Sequence, residues 1–529
     1  MRMNRSFLFS LLVFFCACAS AQTHVSFSDI ENWTCSELSQ YVGQEIIFDQ
    51  PIYICNNYRS TITASVHRQF SPTNQAEPST AAYNEIVNLN KSNTFTLTGL
   101  TGYHRMGETI HGMRAFINST SSITCLSYDH INGTRTDLEA GVPSVDLRYD
   151  AQADTFITHN LLVCAANLEY YLVEQFGTGS STMGPANSTE HQKQRTKVNA
   201  ALTKINADLY GLVEIQQGQN AIREIADDLT ISTGRQFSYI TDGSSVNGTY
   251  TKSGYVYCSD VLRPFGAIKE NNQGVVQRKK LQAFEVIATG EKFIFSINHF
   301  KAKSGGGSGK DADQKDGQGG YNYTRTEEAR SVLAAYSNNK TYYADDDILI
   351  MGDLNAYAKE DPITVLIQGG MTDLHRHFHA DSSYSYTYHG QAGYLDHALC
   401  NSTLLSQVTG MAAYHINSDE SDDYTYDKSS DSTMFRCSDH DPVLVGLKLD
   451  SHHTTILQPL LTVKDGELMI QAPEGGYYSI YTLDGMLLAS GSINSLTGTG
   501  TIPCPTSGIV IVKIYTAETV YSYKQMIIQ

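Results

Sequence analysis

The residues of this chain that could do chemistry stand at the ends of apolar runs. Ile348-Leu349-Ile350-Met351 leads into Gly352-Asp353-Leu354-Asn355-Ala356. An apolar run bounded by glycine reads as a buried strand. On extended backbone Asp353 and Asn355 leave the same face. A carboxylate beside an amide suits a hard divalent cation or a phosphate. A plain turn uses the same residue types, so one such motif says little. The pattern recurs, however. Phe293-Ile294-Phe295-Ser296-Ile297 ends in Asn298-His299, and Asp208 to Val213 ends in Glu214. Ser438-Asp439-His440-Asp441-Pro442 precedes Val443-Leu444-Val445. Leu161 to Glu169, which carries Asn167, and Gly393-Tyr394-Leu395-Asp396-His397-Ala398-Leu399 complete the set. In layered α/β folds, strand ends are where sites form.

Helices must alternate with these strands to cover them. Residues 191–205 place Val198, Leu202 and Ile205 on one helical face. Further helices are expected over residues 220–230 and 325–336. Residues 301–320 are rich in Gly, Lys, Asp and Gln and read as a long mobile loop beside the site. Asp396 and His440 are expected to form a hydrogen-bonded pair. Their spacing fits two adjacent strands of one sheet joined by the polar excursion Ser418 to Arg436.

The order Asn167, Glu214, Asn298-His299, Gly352-Asp353-x-Asn355, Leu395-Asp396-His397 and Ser438-Asp439-His440 resembles the endonuclease/exonuclease/phosphatase superfamily, the deoxyribonuclease I-like fold. Asn298 to Lys303, Asp313 to Gly319 and Asn322 to Arg325 resemble the secreted bacterial extracellular nucleases within it. The resemblance covers roughly residues 155 to 449. It implies an α+β fold whose catalytic domain is a four-layer α/β/β/α sandwich. It also implies Mg²⁺-dependent phosphodiester hydrolysis, with Mn²⁺ as the alternative ion. Glu214, Asn167 and Asp439 would hold the metal. Asp353 would orient or deprotonate the attacking water, and Asn355 would hold a phosphate oxygen. Asp396 would fix the tautomer and charge of His440. His299 would bind phosphate or protonate the leaving group.

Candidate substrate contacts are Arg278, within Arg278-Lys279-Lys280, together with Lys301, Lys303 and Arg325. The expected partner is nucleic acid, DNA before RNA. The run Asp311-x-Asp313-x-x-Asp316-Gly317 is similar to the start of a calcium loop, although Lys315 falls where an oxygen ligand belongs. Structural Ca²⁺ is the minor option there. Competing readings are a sphingomyelinase-like or inositol-phosphatase-like phosphoesterase, and a non-catalytic surface adhesin.

With 529 residues, two or three domains are expected. A formal net charge of -18 excludes a generally basic nucleic-acid-binding surface. Arg2 and Arg5, the apolar stretch Phe7 to Phe15 and Ala19-Ser20-Ala21 read as a secretory signal over residues 1–21. No stable membrane span is expected, and the protein should be secreted or held on the cell surface. Eight cysteines remain beyond the signal, and an exported chain would form some disulfides from them. Residues 22–150 carry short β-type runs and suggest an all-β, OB-like module. The catalytic domain is placed at 151–450. Residues 455–529 read as a β-sandwich resembling the sorting domain of the type IX secretion machinery.

Overall fold

The computed structural model describes residues 23–58, 61–134, 160–176, 183–244, 251–270, 278–430 and 432–449. Towards the C-terminus it describes 460–464, 467–471, 476–493, 499–503, 508–515 and 520–527. The expected signal segment and Cys504 lie outside the described residues. The chain divides into two compact units, residues 1–449 and 450–529.

Two six-stranded sheets position the candidate site. The first contains Phe237–Tyr239, Thr251–Cys258, Leu209–Gln216, Leu161–Tyr171, Val443–Leu447 and Val408–Ala413, in that spatial order. The second contains Leu262–Glu270, Lys279–Val286, Lys292–His299, Ile348–Asp353, Asp396–Asn401 and Met371–Asp373. Alternation along each strand decides which core a side chain joins. Leu161, Val163 and Ala165 enter a cluster shared with Phe293, Phe295, Ile297, Leu349 and Met351 of the second sheet. Their neighbours Cys164, Ala166 and Leu168 pack instead with Val198, Leu202, Ile222 and Ile225. Those partners lie on the helices Ser188–Ile205 and Asn220–Thr233. On the second sheet Ile294, Ile348 and Ile350 pack with Ala329, Val332 and Ile363, from the helices Asn322–Tyr343 and Asp361–Gln368. The two sheets approach closely at Gly211. A Cβ there would lie 2.7 Å from both Ile297 Cδ1 and the Phe295 ring, so a larger residue would wedge the sheets apart.

The N-terminal region forms a nine-stranded sheet around Trp33, Phe48, Ile52, Phe95 and Ile117. It also carries a twelve-residue helix, Ala81–Ser92, started by the Thr80 side chain. This region belongs to the same compact unit as the two sheets. Arg105, fully buried, forms an ion pair with Glu420 and donates to the His415 carbonyl at 3.2 Å. Thr73 Oγ1 donates to Glu360 at 2.7 Å, and Asn74 Oδ1 accepts the Tyr394 N–H at 3.3 Å.

In the C-terminal unit a three-stranded and a four-stranded antiparallel sheet share a core of Leu468, Ile470, Ile480, Val510, Val512 and Ile514. Leu483 to Met486 form a turn between two strands of the four-stranded sheet. Thr482 closes it by accepting the Met486 N–H at 3.0 Å through its hydroxyl.

The disulfide expectation is corrected among the described residues. Cys35, Cys55, Cys125, Cys164, Cys258, Cys400 and Cys437 are all unpaired and buried. Most occupy apolar clusters, where a thiol behaves as a small hydrophobe. Also among those residues, no helix is long and apolar enough to cross a membrane.

Arg105 gives a stability test. Removing one partner of a buried ion pair leaves the other charge desolvated, which costs about 3–5 kcal/mol. Arg105→Met should lower the unfolding free energy by that order in urea titration. Adding Glu420→Gln should recover a large part, because it removes the stranded charge. A double variant no more stable than the single one would contradict this account.

Candidate active site

Strand register lines up one half of the site. His299 is the Cα partner of Asp353, and Asp353 is the partner of Asp396, across three neighbouring strands of the second sheet. Gly352 makes this turn-off passable: its φ is +120°, and a Cβ would meet the Asn298 carbonyl at 2.1 Å. The first sheet delivers the other half. Asn167 is paired with Val213, the residue before Glu214. Both of these strands break register at that level. Glu169, Tyr170 and Glu214 adopt left-handed backbone, at φ 48°, 56° and 59°. Bulges and strained residues of this kind re-aim side chains at sites.

The halves meet at short range. Asn167 Nδ2 donates to Asp353 Oδ2 at 3.2 Å. His299 Nε2 lies 3.5 Å from Glu214 Oε1 and 3.6 Å from Asp353 Oδ2. The second Glu214 oxygen accepts the Tyr170 N–H at 3.1 Å. His440 Nδ1 contacts Asp396 Oδ2 at 2.7 Å across 44 positions of sequence. The expected pair is therefore present, but its strands are not neighbours in one sheet. Asp396 opens a strand of the second sheet, whereas His440 precedes a strand of the first. Face-to-face sheets bring together strand ends that in-plane pairing cannot. Asp439 Oδ2 lies 3.9 Å from His440 Nε2.

Electrostatics separates the roles. Burial, reinforced by Asp439 and Asp353, pushes Glu214 up to about 7. Burial also raises Asp353, with Asp396 and Asp439 adding to the effect against the opposing His440. Burial alone would lower His440, but Asp396, Asp439 and Asp353 outweigh it and hold the imidazole well above its ordinary value. His299 is driven well below its ordinary value by burial and by Arg278 and His440. The same cluster thus favours the charged form of His440 and the neutral form of His299.

Several candidate residues have other duties. Asn355 Nδ2 gives its two hydrogens to the Phe300 carbonyl and to Asp353 Oδ2, both at 3.2 Å. These bonds orient Asp353. Arg325 is completely buried and donates to the carbonyls of Lys301, Gly320 and Gln318. It staples the 301–320 loop and cannot face a substrate. Lys303 is paired with Glu360 and the Gln318 carbonyl, so this loop is tied down. Lys279 pairs with Glu328 at 2.8 Å, and Lys280 with Asp242. Both lysines are buried. Arg278 and Lys301 remain close enough to act on His299. Arg278 Nη2 donates to Thr251 at 3.1 Å, and the Lys301 ammonium lies 4.3 Å from the Tyr321 ring centre. The calcium-like run is also dispersed. Asp311 accepts from Thr324, Asp313 from Lys315 and Asp316 from Gln318.

Sequence reasoning assigned no role to Glu169, Ser385, Tyr386 or Arg436. Ser385 Oγ donates to Asp396 Oδ2 at 2.8 Å, and the Tyr386 ring lies 4.5 Å from that of His440. Only the parity of Glu169 with Asn167 along one strand was a usable signal. Beside the site lies a cavity of ≈ 780 Å³, lined by Asn56, Asn57, Glu169, Tyr386, Arg436 and Asp439 among others.

The donor set suits a hard cation. Glu214 and Asp439 are oxygen donors, Asp439 raises the proton affinity of Glu214, and a bound cation would relieve that repulsion. Asn167 Oδ1 accepts the Glu169 N–H at 2.9 Å and keeps a second lone pair. Among the described residues no group of three or more His, Cys, Asp or Glu is arranged to hold a metal ion. Mg²⁺ needs none, since it retains waters and takes one or two carboxylates.

A pH test follows from Glu214. In the unfolded chain this carboxyl ionises near 4.5, and in the folded chain at about 7. Its contribution to stability is complete below the first value and is lost as pH rises through the second. In EDTA the melting temperature should fall over that window, and Glu214→Gln should flatten the fall. An unchanged profile in the variant would count against the assigned environment.

Residues 157–440, more than half of the chain, match the Endonuclease/Exonuclease/phosphatase family. No curated protein matches the chain. Among solved structures it is similar to an endonuclease/exonuclease/phosphatase from Bacteroides vulgatus, at 14% identity over 55% of this chain and 99% of that one, TM-score 0.37. A family protein from Bacteroides thetaiotaomicron gives 16% identity, 55% and 96% coverage, and TM-score 0.38. The human Nocturnin catalytic domain gives 11% identity, 54% and 93% coverage, and TM-score 0.36. The match over residues 157–440 is broad enough to state the conclusion: this chain belongs to the Endonuclease/Exonuclease/phosphatase family.

Proposed function

We propose that this chain is a secreted, Mg²⁺-dependent nuclease that hydrolyses phosphodiester bonds of extracellular DNA, and secondarily RNA. We place its site on a four-layer α/β/β/α sandwich, flanked by an OB-like N-terminal module and a C-terminal sorting-type β-sandwich. The observation that carries the reading is the meeting of Asp353, Glu214 and His299 within 3.6 Å beside the Asp396–His440 pair. Nucleic acid is preferred as substrate on the sequence resemblance of residues 298–325 to extracellular nucleases.

Each residue then has a task. Glu214, Asn167 and Asp439 would hold Mg²⁺, with Mn²⁺ as alternative, and the bound ion would supply positive charge to the phosphate oxygens. Asp353, raised toward neutrality, accepts a proton from the attacking water. Asn355 and Asn167 hold that carboxylate in place. Cationic His440, fixed by Asp396, stabilises charge building on the phosphoryl oxygens. Neutral His299 orients the phosphate through Nε2, and Arg278 adds positive potential.

A second reading has its own support. The cavity wall is rich in carboxylates and tyrosines, including Glu169, Asp439 and Tyr386. Such a wall suits a hydroxyl-rich group attached to a single phosphate better than a run of phosphates. A phosphoesterase acting on a small phosphorylated molecule is therefore the alternative.

The deciding assay offers purified protein circular DNA, linear DNA, RNA, an inositol phosphate and sphingomyelin, each with Mg²⁺ or EDTA. DNA cleavage that EDTA abolishes is expected. Glu214→Gln should reduce it by orders of magnitude with the fold intact. Full activity in EDTA, or near-normal turnover by the variant, would defeat the proposal. Inertness toward nucleic acids alongside turnover of a small phosphoester would transfer it to the alternative.

Export is part of the same proposal. The basic and apolar N-terminus and the separate C-terminal β-unit support Sec export followed by type IX secretion. Deleting residues from about 455 onward should preserve catalysis and trap the protein in the producing cell. Normal release of the truncated chain would refute the sorting role.

A further inference from the structure

We infer that the N-terminal module positions the Asp396–His440 pair of the catalytic region, with Arg68 as its principal positioning residue. The inference rests on the proposal that Asp396 and His440 act in catalysis.

The module enters the catalytic region by backbone pairing. The Ala392 N–H donates to the Gln69 carbonyl at 2.9 Å, and the Ser71 N–H to the Ala392 carbonyl at 2.8 Å. This adds an edge to the small hairpin of Tyr386–Tyr388 and Gln391–Gly393. Immediately before that edge, Arg68 reaches two groups at once. Its guanidinium forms an ion pair with Asp419 and lies 3.8 Å from the centre of the Tyr384 ring. Tyr384 Oη donates to the same carboxylate at 2.8 Å. Gly107 leaves room for this head, since a Cβ there would come within 2.9 Å of Nη1.

From Tyr384 two short routes lead to His440. Along the first, the Tyr384 ring stacks on His415 at 3.8 Å and 4°. Arg68 and His415 at such distances can only occupy opposite faces of the ring. His415 Nδ1 contacts Asp441 Oδ2 at 2.9 Å. Asp441 also accepts the N–H groups of Ile416, Asn417 and Ser418, which locks the backbone next to His440. Along the second, Ser385 follows Tyr384 in the chain. Its carbonyl accepts the Asp441 N–H at 2.8 Å. Its hydroxyl donates to Asp396 Oδ2, the oxygen that contacts His440 Nδ1. Residues 384 and 385 therefore brace both the partner of His440 and its sequence neighbour.

Arg68 suits this task because its planar fork satisfies a carboxylate and a ring face together, which a lysine cannot. Loss of the brace would let the pair drift, and a misplacement near 1 Å can cost about 100-fold in rate. Substrate binding through other groups would be little affected.

The test is a double-mutant cycle on the full chain, with Mg²⁺ and a short fluorogenic oligodeoxynucleotide. Arg68→Gln should lower kcat about tenfold or more while KM stays within about twofold, with Arg68→Lys falling between it and the parent. In an Asp396→Asn background, Arg68→Gln should add little further loss, because the group it positions is already disabled. Melting curves establish that each variant is folded. If Arg68→Gln does not fold, Tyr384→Phe tests the same brace more gently and should lower kcat in the same direction. A folded Arg68→Gln with parental kcat, or losses that multiply fully with those of Asp396→Asn, would overturn the inference. If Tyr384→Phe is used and leaves kcat unchanged, that too overturns it. An Asp396→Asn variant with parental activity would instead remove the catalytic reading, and this inference with it.

Discussion

Crowding carboxylates into one buried place is the constraint on which the rest of the structure depends. Glu169, Glu214 and Asp353 are each pushed up by burial, and Asp439 repels all three. Left alone, such a cluster would take up protons or open to water. The surrounding structure counters both tendencies. Asp396 favours the charged form of His440, Arg278 stands near Glu214, and Arg436 opposes Glu169. Under the proposal that Glu214, Asn167 and Asp439 hold Mg²⁺, a divalent cation would complete the compensation.

Holding that cluster requires backbone as well as charge. Three strands of one sheet line up His299, Asp353 and Asp396 by register alone. On the facing sheet, two bulged strands turn Glu169 and Glu214 out of the regular pleat through left-handed residues. Strain of about 1–3 kcal/mol per such residue persists only where neighbours over-determine it. The shared apolar core supplies that rigidity, and Gly211 allows the sheets to come close enough for opposite strand ends to touch.

The N-terminal region takes part in this rigidity. Its interface with the catalytic region is built from charges and hydrogen bonds, among them Arg68 and Arg105 with Asp419 and Glu420, and Thr73 with Glu360. Although burial would raise it, Asp419 is held below the usual carboxylate range by Arg68 and Arg105. Specific partners of this kind fix one docking geometry, which a greasy patch would leave free to slide. The seven described cysteines play no such part, being unpaired and buried.

Much was legible in the sequence. Apolar runs ending in Asn167, Glu214, His299 and Asp353, and runs preceded by Asp396 and His440, marked strand ends that the fold brings together, because strand period and turn residues are local properties. The helices at 188–205, 220–233 and 322–343 were legible for the same reason, although each extends past its expected bounds. What the sequence could not reveal was the fate of each charge. Lys279, Lys280, Lys303 and Arg325 resemble Arg278 in composition and neighbourhood, yet each is consumed by an internal partner. Their partners arrive from elsewhere in the chain, such as Glu328 for Lys279 and Glu360 for Lys303. Likewise the Asp396–His440 pair joins two sheets, and the brace on it comes from Arg68, 351 residues before its own partner Asp419. Spacing along a chain determines local geometry and which face a side chain takes. Only packing decides which distant group meets it, and that decision separates a catalytic charge from a structural one.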